Sequence, residues 1–96
     1  MSDHDLKSYI VTLSYPDESL GDLQSLNSVM VSGGYTTTLH DDEGHSHELG
    51  TNSFGIISAL EQNEIAEHAT GLADVALHRK ADVKITTLSE FLKAKP

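Results

Sequence analysis

Ninety-six residues with 38% hydrophobic content fit one domain over residues 1–96 and leave no room for a second core. The chain has no cysteine, which excludes a disulfide framework, a thiolate zinc site and a cysteine nucleophile. Its net charge of −9 argues against a non-specific nucleic-acid binder, and no DNA partner is expected.

The chain opens with a polar, acidic stretch, Met1 to Leu6, that has no apolar signal region. From Leu6 to Tyr15 the residues alternate. Tyr9, Val11, Leu13 and Tyr15 fall on one face and Ile10, Thr12 and Ser14 on the other, which predicts a strand with Tyr9 in the core. Pro16-Asp17-Glu18-Ser19 supplies the turn, although Asp17 and Glu18 also suit a cation. The period then changes. Leu20, Leu23, Leu26 and Met30 recur every three or four residues, predicting an amphipathic helix that stops at Gly33-Gly34.

Tyr35 to His40, with three consecutive threonines, returns to strand composition, and Asp41 to Gly50 reads as a polar loop. Ser53 to Ile57 is a short apolar strand. Ser58 and Glu61 match a capping box, so a second helix is expected from there, with Leu60, Ile65, Ala69, Leu72 and Leu77 as its apolar contacts. Asp82 to Thr87 alternates again, and Thr87 is placed to cap a short final helix through Phe91 or Leu92.

The order β-α-β-β-α-β plus a short C-terminal helix predicts an α+β, ferredoxin-like sandwich, with a four-stranded antiparallel sheet carrying two helices on one face. The other face is expected to remain for solvent, a ligand or a second copy, so monomer and homodimer both fit. No apolar run approaches the ~20 residues of a membrane span, so no membrane partner and a cytoplasmic bacterial location are expected.

Charge is unevenly spread. Residues 1–77 hold one basic residue, Lys7, against thirteen acids, whereas residues 78–96 hold five, Arg79, Lys80, Lys84, Lys93 and Lys95, against Asp82 and Glu90. A polyanion would dock near that C-terminal segment, and His78, Arg79, Lys80 and Lys84 are its candidate phosphate contacts. The equally plain reading is a solvated loop before the last strand.

General acid–base catalysis needs a base, an acid and a group that stabilises the charge developed in the transition state. Histidine suits the first two roles. The densest candidate group is His40-Asp41-Asp42-Glu43-Gly44-His45-Ser46-His47-Glu48. Asp41, His45 and His47 are the residues there that suit acid–base catalysis. A divalent metal is the alternative use of that loop, and a solvated turn is the structural one. His68 reads as structural or exposed and His4 as part of the terminus. Phe54 belongs either in the core or on the uncovered sheet face, where it would stack on an unpaired base.

Tyr9-Ile-Val-Thr-Leu-Ser-Tyr15-Pro16 is similar to the first strand of the GhoS family. Asp41-Asp42-Glu43-Gly44, Leu49, Asn52-Ser53-Phe54 and Glu64-Ile65 follow that family's pattern in register. The resemblance covers roughly residues 8 to 92. It implies a ferredoxin-like fold and an antitoxin endoribonuclease of a type V toxin–antitoxin pair, whose partner is the mRNA of a small membrane toxin. It implies RNA contacts at Phe54 and at Asn27, where the family carries an arginine. The family's acidic residue before Tyr-Pro is Ser14 here. No cofactor is implied. The acidity of the chain and Asn27 itself keep a non-catalytic RNA- or protein-binding regulatory module of the same fold as the alternative, beside a metal-binding protein using residues 40–48.

Overall fold

The computed structural model describes residues 6–16, 19–41, 43–78 and 80–94. Strand β1 (Lys7–Ser14) leads to helix α1 (Leu20–Ser32), strands β2 (Thr38–His40), β3 (Ser46–Glu48) and β4 (Ser53–Ser58), helix α2 (Gln62–Leu77), strand β5 (Asp82–Thr87) and helix α3 (Leu88–Ala94).

β1 is the central strand of an antiparallel sheet ordered β4-β1-β5, with Val11 opposite both Phe54 and Ile85. That register puts Tyr9, Val11 and Leu13 on the same face as Phe54, Ile56, Val83 and Ile85. Helices α1 and α2 cover this face. Leu26 and Met30 of α1 and Ile65, Ala69, Ala73 and Leu77 of α2 pack with it into one core. The two helices approach closely at Gly33, where an added Cβ would stand 2.5 Å from a Leu72 methyl.

The expected four-stranded sheet has three strands. The segment from Tyr35 to His40 meets it through a single antiparallel bridge, Thr36 to Gly55, with N–H···O bonds of 2.8 and 2.7 Å. Beyond Thr36 the chain leaves the sheet, because its tip pairs instead with β3, Leu39 opposite His47. The loop expected over 41–50 thus contains a strand that residue pattern did not disclose: Ser46-His47-Glu48 has no apolar residue to mark it.

The second sheet face is not left open either. Ile10, fully buried, packs there with Leu39, Leu49 and Leu88, flanked by Phe91 and Leu92 of α3. Burying a side chain of this size contributes about 1.5–3 kcal/mol, enough to hold the hairpin and α3 against the strands. Leu39 lies directly on β4 at Gly55, where a Cβ would sit 2.6 Å from its Cγ. Glycine is required there by that approach.

Helix ends mostly follow expectation. Ser19 caps α1 by accepting from the Asp22 N–H, and Thr87 Oγ1 accepts from the Glu90 N–H in α3, which runs on to Ala94. The capping box of α2 is displaced by three residues: Glu61 is the cap and pairs reciprocally with Glu64. Ser58 instead accepts from the Leu60 N–H in a local turn, and Leu60 is exposed outside the helix.

Candidate functional site

A cleft of about 430 Å³ opens between α1 and the turn leading into β4. From α1 it receives Gln24, Asn27 and Ser28, the polar neighbours of the core-facing Leu23 and Leu26. The opposite rim is Gly50-Thr51-Asn52, with Ser53, Phe54 and Thr37 behind it. The volume is in the range of small-ligand sites.

The rim is built to be rigid. Asn52 takes a left-handed backbone (φ 62°), which asparagine tolerates better than most residues. Its carbonyl accepts from the Leu13 N–H at 2.9 Å, and its Oδ1 accepts from the Tyr15 hydroxyl at 3.1 Å. The aromatic residue that ends β1 therefore fixes the turn that begins β4. Among the described residues no lining residue carries a formal charge, so these offer amide and hydroxyl donors and acceptors beside one aromatic wall.

Phe54 and Asn27, 27 positions apart in sequence, meet in this cleft. Phe54 is only 4% exposed and sits on the helix-covered face of β4. Its ring belongs to the main core and reaches the cleft as a wall. The alternative position on the uncovered sheet face is not the one it takes.

Asp41, His45 and His47 form a second group at the β2–β3 turn. Asp41 Oδ1 accepts from the backbone N–H groups of Glu43 and His45, both at 2.9 Å, and Oδ2 lies 2.9 Å from His47 Nε2. The His47 contact first, and then these backbone donors, hold the Asp41 carboxyl down at about 2, below its ordinary 3.8. His47 is three-quarters buried and His45, 3.7 Å from the same carboxylate, is largely exposed. Such a pairing orients an imidazole for proton transfer. Ligand atoms of Asp41, Glu43 and His45 also lie within 4.8 Å of one another, a spacing open to a divalent ion.

The two groups are apart. Thr37 lines the cleft and Asp41 follows four residues later, about 13 Å further along an extended chain. Lys80 and Lys84 join neither group. Lys84 stands opposite Thr12 on β5, and Lys80 borders a smaller cavity with Ser14, Tyr15 and Asp82. Arg79 lies outside the described residues, as do His4, Asp17, Glu18 and Asp42. His68 stacks on Tyr35 with ring centroids 5.6 Å apart and its Nδ1 3.1 Å from the Tyr35 hydroxyl, which burial pushes above its ordinary value.

The sequence model of the family described as "Endoribonuclease GhoS" matches residues 1–94. The chain belongs to the GhoS family. It is also similar to the uncharacterized protein YdiZ of Escherichia coli K12, at 37% identity over 91 residues that cover 95% of each chain. The same figures hold for YdiZ of Escherichia coli O157:H7. Within the GhoS family frame, the cleft residues that sequence reasoning missed are Gln24, Thr51 and Asn52. Asn52 had a signal: an asparagine two residues after a glycine, before a strand, suits a left-handed turn.

Proposed function

We propose that the chain is an antitoxin-type endoribonuclease acting in the cytoplasm on single-stranded mRNA of a small membrane toxin. In this reading the α1 cleft seats an unpaired nucleotide. Membership of a family described as an endoribonuclease supports RNA as substrate. The observation that carries the site is the meeting of Asn27 and Phe54 in one uncharged cleft. Neutral amides and hydroxyls suit the edges of a base, and an uncharged wall spares the strand the repulsion that most of this acidic surface would impose.

The strand order β5-β1-β4, with Thr36 bridged outside β4, supports a ferredoxin-like reading of the frame. Among the described residues the cleft has no titratable side chain, so in this reading proton transfer comes from elsewhere. His47, oriented by Asp41, is the candidate general base, with His45 as the exposed partner. A strand seated in the cleft would run along β2 to bring a phosphate to them. Lys80, Lys84 and Arg79 are then secondary backbone contacts.

That no acid or base lines the cleft among the described residues favours a second reading, a non-catalytic RNA-binding module. Incubating purified protein with single-stranded RNA containing a toxin-like message, with and without EDTA, separates the two. The nuclease reading predicts discrete cleavage products. They persist under EDTA if His47 works without metal and vanish if the Asp41–Glu43–His45 group holds an ion. Intact RNA that nevertheless shifts in a gel supports the binding module and ends the nuclease reading.

A further inference from the structure

A second cavity, of about 450 Å³, lies at the far end of β1, between the β2–β3 hairpin and α3, and neither reading above uses it as a binding site. Two residues of opposite charge line it. Lys7 enters from the first position of β1, and Asp41 from the end of β2. They do not form an ion pair with each other, and the Lys7 ammonium has no partner among the described residues.

Asp41 is not free to swing across to Lys7. Its two backbone donors and His47 hold the carboxylate in place, yet Oδ2 keeps acceptor capacity beyond its single close contact. The cavity therefore holds a fixed anion and a separate cation. The rest of the lining is mixed, with Leu6, Leu88 and Leu92 apolar and Ser8, His40, Thr87 and Ser89 polar. An anion alone would meet Asp41, and a cation alone would meet Lys7. A molecule carrying both charges close together on an apolar body satisfies each wall.

We propose that this cavity binds a free α-amino acid with an aliphatic side chain, its carboxylate on Lys7, its ammonium on Asp41 and its side chain against the leucines. Leu88 and Leu92 belong to α3 and Asp41 to the hairpin, so the ligand would tie together the two elements that cover the second sheet face.

The test is titration of the full-length, isotope-labelled chain with L-leucine, followed by backbone amide shifts. Glycine, 4-methylpentanoate and isoamylamine serve as probes lacking the side chain, the ammonium and the carboxylate in turn. Saturable shifts at Lys7, Ser8, His40, Asp41 and Leu88–Leu92 are expected with L-leucine, and at least tenfold weaker binding with each probe. Lys7→Met, an exposed strand-end change, is expected to weaken leucine at least tenfold, and Ser89→Ala less. Three results each overturn the proposal: no shift at millimolar leucine, equal affinity for 4-methylpentanoate or isoamylamine, or shifts confined to Gln24, Asn27 and Thr51–Ser53. None of these bears on whether the protein cleaves RNA, which the cleavage assay decides separately.

Discussion

The two ends of β1 are built from different materials. At its C-terminal end, the α1 cleft is uncharged, rigid at its rim and continuous with the main core through Phe54. At its N-terminal end, the hairpin and α3 enclose a cavity bearing Lys7 and Asp41, over a smaller cluster centred on Ile10 and Leu39. The contrast separates two tasks. A neutral cleft can discriminate a planar polar group by hydrogen bonding, but it moves no protons. A charged turn can move protons, and depends on local bonds to hold its shape. The proposed nuclease uses both ends.

The difference is first tested by removing what the cleft shares with the core. Phe54→Ala is expected to cost about 3–5 kcal/mol, because it empties a buried site as well as the cleft wall. Chemical denaturation would show it, and a loss below 1 kcal/mol would mean that the ring is a surface feature. Next comes Gly55→Ala, whose Cβ would meet Leu39 at 2.6 Å. It is expected to cost about 1–3 kcal/mol by overpacking. Its amide-exchange signature should concentrate in β2 and β3, whereas that of Phe54→Ala should extend through α1 and α2. Similar patterns for both would erase the distinction between the two clusters.

A smaller effect is expected at the rim. Asn52→Ala loses the bond from the Tyr15 hydroxyl and places alanine at φ 62°. Together these should cost on the order of 1–3 kcal/mol in thermal or chemical unfolding. At the hairpin the expected signature is a pH dependence. The Asp41 carboxyl is held at about 2, so its contribution is complete above its ordinary value near 3.8 and fades as pH falls through 2. Asp41→Asn should flatten that acid limb in a pH series of hairpin amide exchange. An unchanged slope would show that the turn does not depend on the carboxylate. The smallest stability effect belongs to Asn27→Ala, an exposed helix position, within about 0.5 kcal/mol of wild type.

Much of this frame was legible in the residues. Alternation in Leu6–Tyr15 and Asp82–Thr87 and the 3–4 spacing through Leu23, Leu26 and Met30 marked β1, β5 and α1 because each sends one face into the main core, whereas Leu20, expected on that stripe, is exposed. The second face was not legible. Ile10, Leu39, Leu49, Leu88 and Phe91 come from a strand, a hairpin, a loop and a short helix, so no local period links them. β3 escaped for a related reason: Ser46-His47-Glu48 is a strand through its pairing with β2, with no apolar pattern of its own. The capping box moved from Ser58 to Glu61 because both positions are followed three residues later by a glutamate, and the local pattern does not choose between them.

The candidate site divided along the same line. Asp41, His45 and His47 are close in sequence and close in space. Asn27 and Phe54 were singled out by family resemblance, and their meeting required the fold. Gln24 and Thr51 have no chemistry that sets them apart before the cleft is seen. Of the cations four residues apart, Lys80 precedes β5 and lines a cavity with Tyr15 and Asp82, while Lys84 lies within β5 opposite Thr12.

Amide-shift mapping with a short, uncleavable 2′-O-methyl RNA tests most directly whether the α1 cleft receives the strand. The account predicts saturable shifts centred on Gln24, Asn27 and Thr51–Ser53, with a tail along β2 toward His47, and roughly three- to tenfold weaker binding for Asn27→Ala, the loss of about one neutral hydrogen bond. Shifts confined to Lys80 and Lys84, or to the hairpin alone, with Asn27→Ala binding as tightly as wild type, would contradict it.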